Sequence, residues 1–439
     1  LLLVLLKITF ILANKKTSTF QGMNMASTMN HMAFKGNQFP IARRDFIKYA
    51  TAVGLLTSVP EGTSAQPRPN QDKKIRIGIV GGGFGRGFQF HEHPQCIVAA
   101  VSDLRPERRK ALMETYRCGA SYPSLEEMVK DPAIDAIGVF TEGPNHLRHV
   151  KLVMEHGKHA LCAVPACWGS VDEAEELLHL VKKTGLIYMM AETSYYQQFT
   201  ISVRNFYQQG LFGDLFYCES EYQHDGLENL YFENGKRTWR YGLAPMHYPT
   251  HCTAHLIGVT GERLTQVSCI GWGDDSPFLK DNTDHNPFHN ESAFFKTNRG
   301  HSFRVNVWWK GAHLGGERAS WIGTKMSFYA QNGRSGPAVV KKSTQLGADD
   351  AGFVQSKATL EPYEQPDWWA TDMLPQPLRH KSGHEGSHTF LTHEFIDAVI
   401  NERKPAVDIY EALAYTVPGI IAHQSALQGG KLLKIPQFD

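Results

Sequence analysis

The chain has 439 residues, 42% of them hydrophobic and 20% charged, an ordinary globular composition with enough apolar material for two domains with cores of their own. Forty-five basic residues against 44 acidic ones leave a formal net charge of +1, and neither sign forms a long block. That balance excludes an electrostatic case for nucleic acid or an anionic membrane as partner and points to a small molecule.

The first 70 residues stand apart from the fold. "LLLVLLKITFILA" is too short to span a bilayer and, starting at Leu1, reads as translated upstream sequence, with Met32 as a start. "ARRDFIKYATAVGLLTSV" then sets Arg43 and Arg44 before Phe46 and Ile47, followed by a short apolar run and small residues suited to cleavage after Ala65. This resembles a twin-arginine export signal, so a periplasmic protein without a transmembrane segment in its mature form is expected. The seven cysteines include no CxxC pair and are odd in number, which fits buried thiols rather than a disulfide framework.

Residues 72–195 read as a nucleotide-binding domain. "IRIGIV" is an apolar, β-branched run leading into Gly81, Gly82, Gly83, Phe84, Gly85 and Gly87, where a helix should open. Glycines there let backbone amides approach a pyrophosphate. A second strand, "CIVAAVSD", ends in Asp103, placed to take the adenosine ribose hydroxyls, which favours NAD over NADP; Arg105 nearby is the residue able to accept a 2′-phosphate instead. Helical segments "SLEEMVKDP", "NHLRHVKLVMEHG" and "SVDEAEELLHLVKKTG" alternate with strands "AIDAIGVFT", "KHALCAVP" and "LIYMMAE". Such alternation predicts a doubly wound parallel sheet, an α/β fold. Ligands lie beyond the carboxyl ends of such strands, so Thr141, Asn145, His146 and Pro165 join the cofactor-binding candidates.

Residues 196–439 read as an α/β substrate-binding domain. "WRYGLAPMHYPTHCTAHLIGVTG" spaces His247, His251 and His255 four apart, on one face if helical. "RLTQVSCIGW", "ESAFFKTN", "HSFRVNVWWKG" and "ASWIGTKMSFYAQ" alternate as strands of a large open, mainly antiparallel sheet. Its second face, with Trp308 and Trp309 assigned to it, is a candidate homo-oligomer interface. Trp239, Tyr241, Trp368 and Trp369 fall in loops, able to stack on sugar rings or simply to pack. "HEGSH" offers His384 or His388 to a substrate, or caps a helix starting near Thr389. "ENLYFENG" reads as a native loop.

The glycine loop, Asp103, "TEGPNHLRHV", "HGKHALCAVPA", "GLFGDL" and the tail from "VDIYEALAYTVPGIIAHQ" together resemble the Gfo/Idh/MocA oxidoreductases from about Lys73 to Asp439. The resemblance implies an N-terminal Rossmann domain, bound NAD(P), and sugar or cyclitol substrates. Family dehydrogenases carry Glu-Lys-Pro where this chain has "AVP", Ala163 to Pro165, so the usual lysine is missing and another residue must move the proton. By position His251 matches the histidine of the family's DxxxH motif, and His247 falls on the aspartate. A histidine exchanges protons near neutrality, which makes His251 the candidate acid or base and His247 its orienting or proton-sharing partner.

"YPTH" is also similar to the NAD-dependent glycosidases of glycoside hydrolase family 109, which implies Tyr196, four after Glu192, as an acid/base near C2 of a sugar. The cycle implied there is oxidation at C3, loss of the C2 proton, elimination of the aglycone, addition of water and return of the hydride. Two alternatives remain open. One is a noncatalytic carbohydrate-binding protein. The other is a zinc-dependent hydrolase or lyase using the three-histidine face, although no metal is assigned.

Overall fold

Strand β1, Ile75–Val80, is buried at five of its six positions, which is how a run of β-branched residues behaves at the centre of a sheet covered on both faces. The computed structural model describes residues 73–330 and 336–439; the proposed export signal lies outside the described residues. Among the described residues, β1 joins β2 (Cys96–Ser102), β3 (Ser121–Tyr122), β4 (Ala136–Val139), β5 (His159–Cys162) and β6 (Tyr188–Met190) in a six-stranded sheet of order β3-β2-β1-β4-β5-β6. Every pairing in it is parallel. The order reverses between β1 and β4, and the crevice for a ligand opens at that switch point.

The crossover helices follow their local signals. Helix α1 (Pro106–Tyr116) starts with proline in its first turn, and α2 (His146–Glu155) buries His149, Val150 and Val153 on one side. In α3 (Val171–Thr184) the Ser170 side chain accepts from the Glu173 amide, acids fill the first turn, Lys182 and Lys183 the last, and Gly185 closes it in the left-handed region.

One expected helix is absent. Where the glycine loop should open a helix, the chain makes two short 3₁₀ turns, Phe84–Gly87 and Phe90–Glu92, before β2. Five glycines in seven residues and Pro94 make this stretch a poor helix former, and Phe88 and Phe90 bury themselves instead.

Beyond β6 the chain enters α4 (Gln198–Gln208) and then β7 (Leu215–Gln223), the middle strand of the second sheet. After a two-stranded ribbon, β8 (Phe232–Glu233) and β9 (Lys236–Arg237), and the buried helix α5 (Thr250–Thr260), the sheet is completed. Its remaining strands are β10 (Leu264–Trp272), β11 (Asn290–Thr297), β12 (Ser302–Trp308), β13 (Gly316–Gly323), β14 (Met326–Tyr329), β15 (Ala338–Ala348), β16 (Val354–Pro362) and β17 (Leu433–Lys434). The order is β16-β15-β14-β13-β7-β12-β11-β10-β17. It is mixed and mostly antiparallel, β7 and β12 forming a parallel pair.

Helices α5, α6 (Gly383–Ile400) and α7 (Ile409–Leu427) complete the fold; α5 packs on the inner face of the sheet, and α7 packs against both α5 and β10. The outer face exposes Ile270, Trp272 and Phe294 at 59%, 52% and 57%. Trp309 is not on it. It is buried, its indole donating to the Leu243 carbonyl at 2.9 Å, because adjacent residues of an extended chain point to opposite sides and only Trp308 stays on the outer one. All seven cysteines are buried free thiols. No helix among the described residues is long and apolar enough to cross a membrane.

Candidate active site

The crevice at the switch point has a volume of about 430 Å³ and is lined by Gly81, Gly83, Phe84, Asp103, Thr141 and Asn145, with Trp239 and Arg240 reaching in from the second domain. Gly81 has φ +102°, and a Cβ there would stand 2.2 Å from the Phe140 carbonyl oxygen, so only glycine lets the chain turn this close to the end of β4. Asp103 accepts the Gly82 amide on one oxygen at 2.6 Å and the Arg105 amide on the other at 2.8 Å. Both bonds fix the carboxylate at the end of β2 and leave each oxygen a further lone pair for a ribose hydroxyl. Glycine cradle and carboxylate together fit a dinucleotide, whose pyrophosphate would meet loop amides rather than a long helix.

Three candidates do not line this crevice. Gly85 sits buried against Phe140, its amide bonded back to Gly81 at 3.2 Å, closing the turn. The buried His146 ring lies between the carbonyl oxygens of Pro165, at 2.7 Å, and Thr141, at 3.2 Å. It is a strut tying the ends of β4 and β5. Pro165 follows a fully buried stretch, and its carbonyl is engaged by that strut.

Helix α5 carries His251 and His255. This helix is buried nearly all round, so an ionisable side chain on it needs a partner. His251 has one: its Nδ1 lies 2.9 Å from Oε1 of Glu192, a fully buried carboxylate at the end of β6. The same oxygen accepts the Ser194 amide at 2.8 Å. From β13, Glu317 accepts the Ser194 hydroxyl at 2.6 Å and stands 3.9 Å from His251 Nδ1 and 3.5 Å from His255 Nε2.

Burial alone would lower the His251 pKa, but the charge and hydrogen bond of Glu192 outweigh it and raise it to about 9. Glu192 moves the opposite way, burial opposing and His251 pulling its carboxyl well below the usual range. Glu317, pushed up mainly by burial, reaches about 7. At neutral pH the site therefore holds a Glu192 carboxylate and a His251 imidazolium whose Nε2 is free of hydrogen-bond partners among the described residues.

His247 is not the partner of His251. It lies outside α5, in a 3₁₀ turn at Pro245–His247, with its ring edge-on to His423 at 4.8 Å and 3.9 Å from Asp284. Burial, then His423, lowers its pKa to about 3, so it stays neutral. His255 turns its Nδ1 to the Ser220 hydroxyl at 2.8 Å. His251 and His255 thus share Glu317 while His247 faces His423 and Asp284, and among the described residues no group of three His, Cys, Asp or Glu side chains is arranged to hold a metal.

Tyr196 is likewise turned away from the dyad. It closes a 3₁₀ turn, is buried, and stacks on Phe390 at 5.3 Å and 6°. The tyrosines beside His251 are Tyr222 on β7, at 4.8 Å between centroids, and Tyr248, at 5.5 Å. Arg240, stacked over Trp239 at 4.2 Å, adds a cation close enough to act on both hydroxyls.

His384 approaches from the other side. Its ring meets Phe84 of the glycine loop at 5.6 Å, its Nδ1 lies 2.8 Å from His388 Nε2, and its titration is coupled to His251 and Glu192. Three consecutive residues there, His384, Glu385 and Gly386, have positive φ, so the helix proper starts only after them. Trp239 remains at the crevice, whereas Trp368 donates to Ser202, and Tyr241 packs on Tyr231 and Phe278.

Glu192, Glu317, Tyr222, Tyr248 and Arg240 were not among the sequence candidates. Glu317 carried a usable signal: it shares the parity of Ala319 and Trp321, the inward side of β13, where a charge is out of place.

Comparison with known proteins agrees with this architecture. Residues 75–192 match the oxidoreductase family with the NAD-binding Rossmann fold, Gfo/Idh/MocA, and residues 342–439 match the C-terminal domain of glycosyl hydrolase family 109. A glycosyl hydrolase family 109 protein of Solibacter usitatus is 26% identical over 90% of this chain and 97% of its own length. One from Streptomyces coelicolor is 22% identical over 89% and 91%. Among solved structures, scyllo-inositol dehydrogenase from Lactobacillus casei with NAD(H) and scyllo-inositol superposes with a TM-score of 0.61 at 16% identity, covering 82% of this chain and 99% of that one. Levoglucosan dehydrogenase with NADH and levoglucosan gives 0.65 at 15%, covering 83% and 100%. These likenesses between structures show the shared fold.

Proposed function

We propose that this chain, an NAD-binding oxidoreductase of the Gfo/Idh/MocA type, acts on a carbohydrate glycoside as a redox-cycling glycosidase. The observation that carries the proposal is the buried Glu192–His251 pair, which holds a proton beside Tyr248, whose ring lies 6.5 Å from that of Trp239 at the crevice, in a chain with Val164 where the lysine would stand. NAD, when bound, supplies reversible hydride acceptance at a sugar carbon. The protein's own residues then manage protons and orientation.

His251, cationic at neutral pH and oriented through Nδ1 by Glu192, offers its Nε2 proton to an oxygen that gains negative charge, whether on the sugar or on the departing group. Glu317, with a pKa of about 7 and the Ser194 hydroxyl bonded to it, is the group able to take up the hydroxyl proton released when hydride leaves the sugar. Tyr222 and Tyr248 flank the His251 ring, Arg240 brings its charge near both from its place over Trp239, and Trp239 is the aromatic at the crevice available to a sugar ring. The family 109 relatives, matched over most of the chain, support cleavage of a glycoside; the dehydrogenases of like fold support a polyol or sugar as the oxidised partner.

The test begins with protein purified without added cofactor, from which released nucleotide is identified by mass and absorbance, followed by assay on a panel of aryl glycosides in D₂O. Retained NAD, aglycone release without net NADH, and deuterium at C2 of the product support the redox cycle. Net NADH formation with an intact glycosidic bond would replace it with a glycoside dehydrogenase. Binding without either reaction would leave a carbohydrate-binding protein.

Two further parts of the proposal concern setting. Export by the twin-arginine route rests on Arg43, Arg44 and the apolar run after them, and Arg43→Lys with Arg44→Lys should retain the protein in the cytoplasm. Self-association rests on the exposed Ile270, Trp272 and Phe294 of the open sheet face, and Phe294→Glu with Ile270→Glu should yield a smaller species in light scattering.

A further inference from the structure

The β8–β9 ribbon belongs to the second domain in sequence, yet its Glu233 lies at the adenosine end of the crevice in the first. Glu233 Oε2 accepts Arg105 Nη2 at 2.6 Å, and Oε1 accepts Arg108 Nη2 at 2.8 Å and Arg105 Nη1. The pairing is fork to fork, the arrangement in which an arginine is most firmly oriented. Glu233, Arg105 and Arg108 line the same cavity as Asp103 and Gly81, so the ion pair joins the ribbon to the first domain at the wall of that cavity.

The ribbon is anchored at its root. Tyr231 is buried against Phe278 at 4.9 Å, the Thr238 amide donates to the Tyr231 carbonyl at 2.8 Å, and Arg237 pairs with Asp281 at 2.7 Å. Glu233 is therefore held over the crevice by a folded element.

We propose that Glu233 is a cofactor clasp that excludes a 2′-phosphate and slows release of NAD. Arg105 follows Asp103 by two residues and is the cation that a 2′-phosphate would need. With Glu233 in its fork, that cation is neutralised, and a phosphate entering there meets two carboxylates, Asp103 and Glu233, and must displace a bidentate pair. NAD carries two ribose hydroxyls at the same place and meets no such conflict. All three side chains are between a third and two-fifths exposed, so the pair adds little to folding stability. Its effect falls on which nucleotide binds and how fast it leaves.

The inference rests on the NAD site alone and does not depend on whether the enzyme cleaves glycosides. The experiment compares wild type, Glu233→Gln and Glu233→Ala as holoprotein. Release of bound NAD is followed by exchange against excess 1,N6-etheno-NAD, and the affinities of stripped protein for NAD and NADP are measured by calorimetry. Both variants should release NAD faster and raise the NADP-to-NAD affinity ratio, each by about tenfold, the scale of one relieved charge conflict.

Adding Arg105→Ala and Arg108→Ala to Glu233→Gln should abolish the gain for NADP, which a merely loosened ribbon would not do. An unchanged affinity ratio, an unchanged release rate, or a gain for NADP that survives loss of both arginines overturns the proposal. Melting curves of the holoproteins identify any variant that fails to fold, and Arg105→Ala with Arg108→Ala in the wild-type background then serves instead: it should speed NAD release without creating affinity for NADP. Unchanged release in that variant overturns the clasp equally.

Discussion

At the scale of single residues, the site works by opposing two strong effects in one small volume. Burial disfavours charge on every member, and Glu192 reverses that for His251. The sign of the resulting pH dependence follows. His251 is raised, so the pair's contribution to stability is complete below the ordinary imidazole value and is lost as pH rises through about 9; Glu192 is lowered, so its contribution is lost only on acidification below the ordinary carboxylate range. Glycoside turnover should accordingly show an alkaline limb in kcat/KM near pH 9, and Glu192→Gln should move that limb to clearly lower pH, since burial is then opposed by Glu317 alone. A limb still near 9 in that variant would assign it to another group. His251→Ala should remove at least about a hundredfold of activity, the usual scale of a general acid, while bound NAD stays at wild-type stoichiometry. Undiminished turnover would end the assignment.

At the scale of elements, what matters is how closely backbones approach around α5. Helix α7 contains Pro418 and Gly419, a poor pair by helix propensity, and a Cβ on Gly419 would stand 2.1 Å from the Met246 carbonyl and 2.4 Å from Pro249 Cγ. Alanine for glycine inside an exposed helix gains about 1 kcal/mol. Here overpacking reverses the sign, so Gly419→Ala should destabilise by about 1–3 kcal/mol in chemical denaturation. It should also impair turnover, because the turn it displaces carries His247 and Tyr248 into α5. A stabilised, fully active variant would contradict that packing. The glycine loop is the converse case. Its spacing was legible, but the helix expected after it gave way to 3₁₀ turns, since clustered glycines and a proline cannot sustain the periodicity that the following phenylalanines alone imply.

At the scale of the whole molecule, one crevice is lined by the glycine loop and strand ends of the parallel sheet together with the β8–β9 ribbon and the residues after it, and a bound cofactor would lie between them. Anything bound there in the folded state alone stabilises by mass action, about 2.7 kcal/mol at a hundredfold excess over Kd. Stripping NAD should therefore lower Tm in scanning calorimetry, and NAD should restore it, whereas NADP at equal concentration should restore far less in wild type than in Glu233→Gln. Equal restoration by both nucleotides in wild type would contradict the charge conflict at Arg105. The missing lysine falls into place at this scale as well. "ALCAVPACW" is a buried connection pinned by His146 and Thr416, and the residue proposed to carry the proton, His251, sits on α5.

The sequence by itself determined what depends on neighbours along the chain. The parallel alternation, the glycine turn at Gly81, the carboxylate at the end of β2, the cap of α3 and the loss of the lysine are all local, because period, turn chemistry and strand ends are written within a dozen residues. The helix that carries His251 was legible too, through spacing. Only the tertiary structure decided the partners of that histidine. Glu192 lies 59 residues away, Glu317 bonds Ser194 across 123, and Arg105 meets Glu233 across 128. The same holds for direction: a 3₁₀ turn sends Tyr196 into the core while leaving Ser194 at the site, and a helix starting at Thr250 separates His247 from His251. Spacing fixes which residues share a face once the element is known, but which face meets which partner is set by packing, and that is decided only when distant segments close on one another.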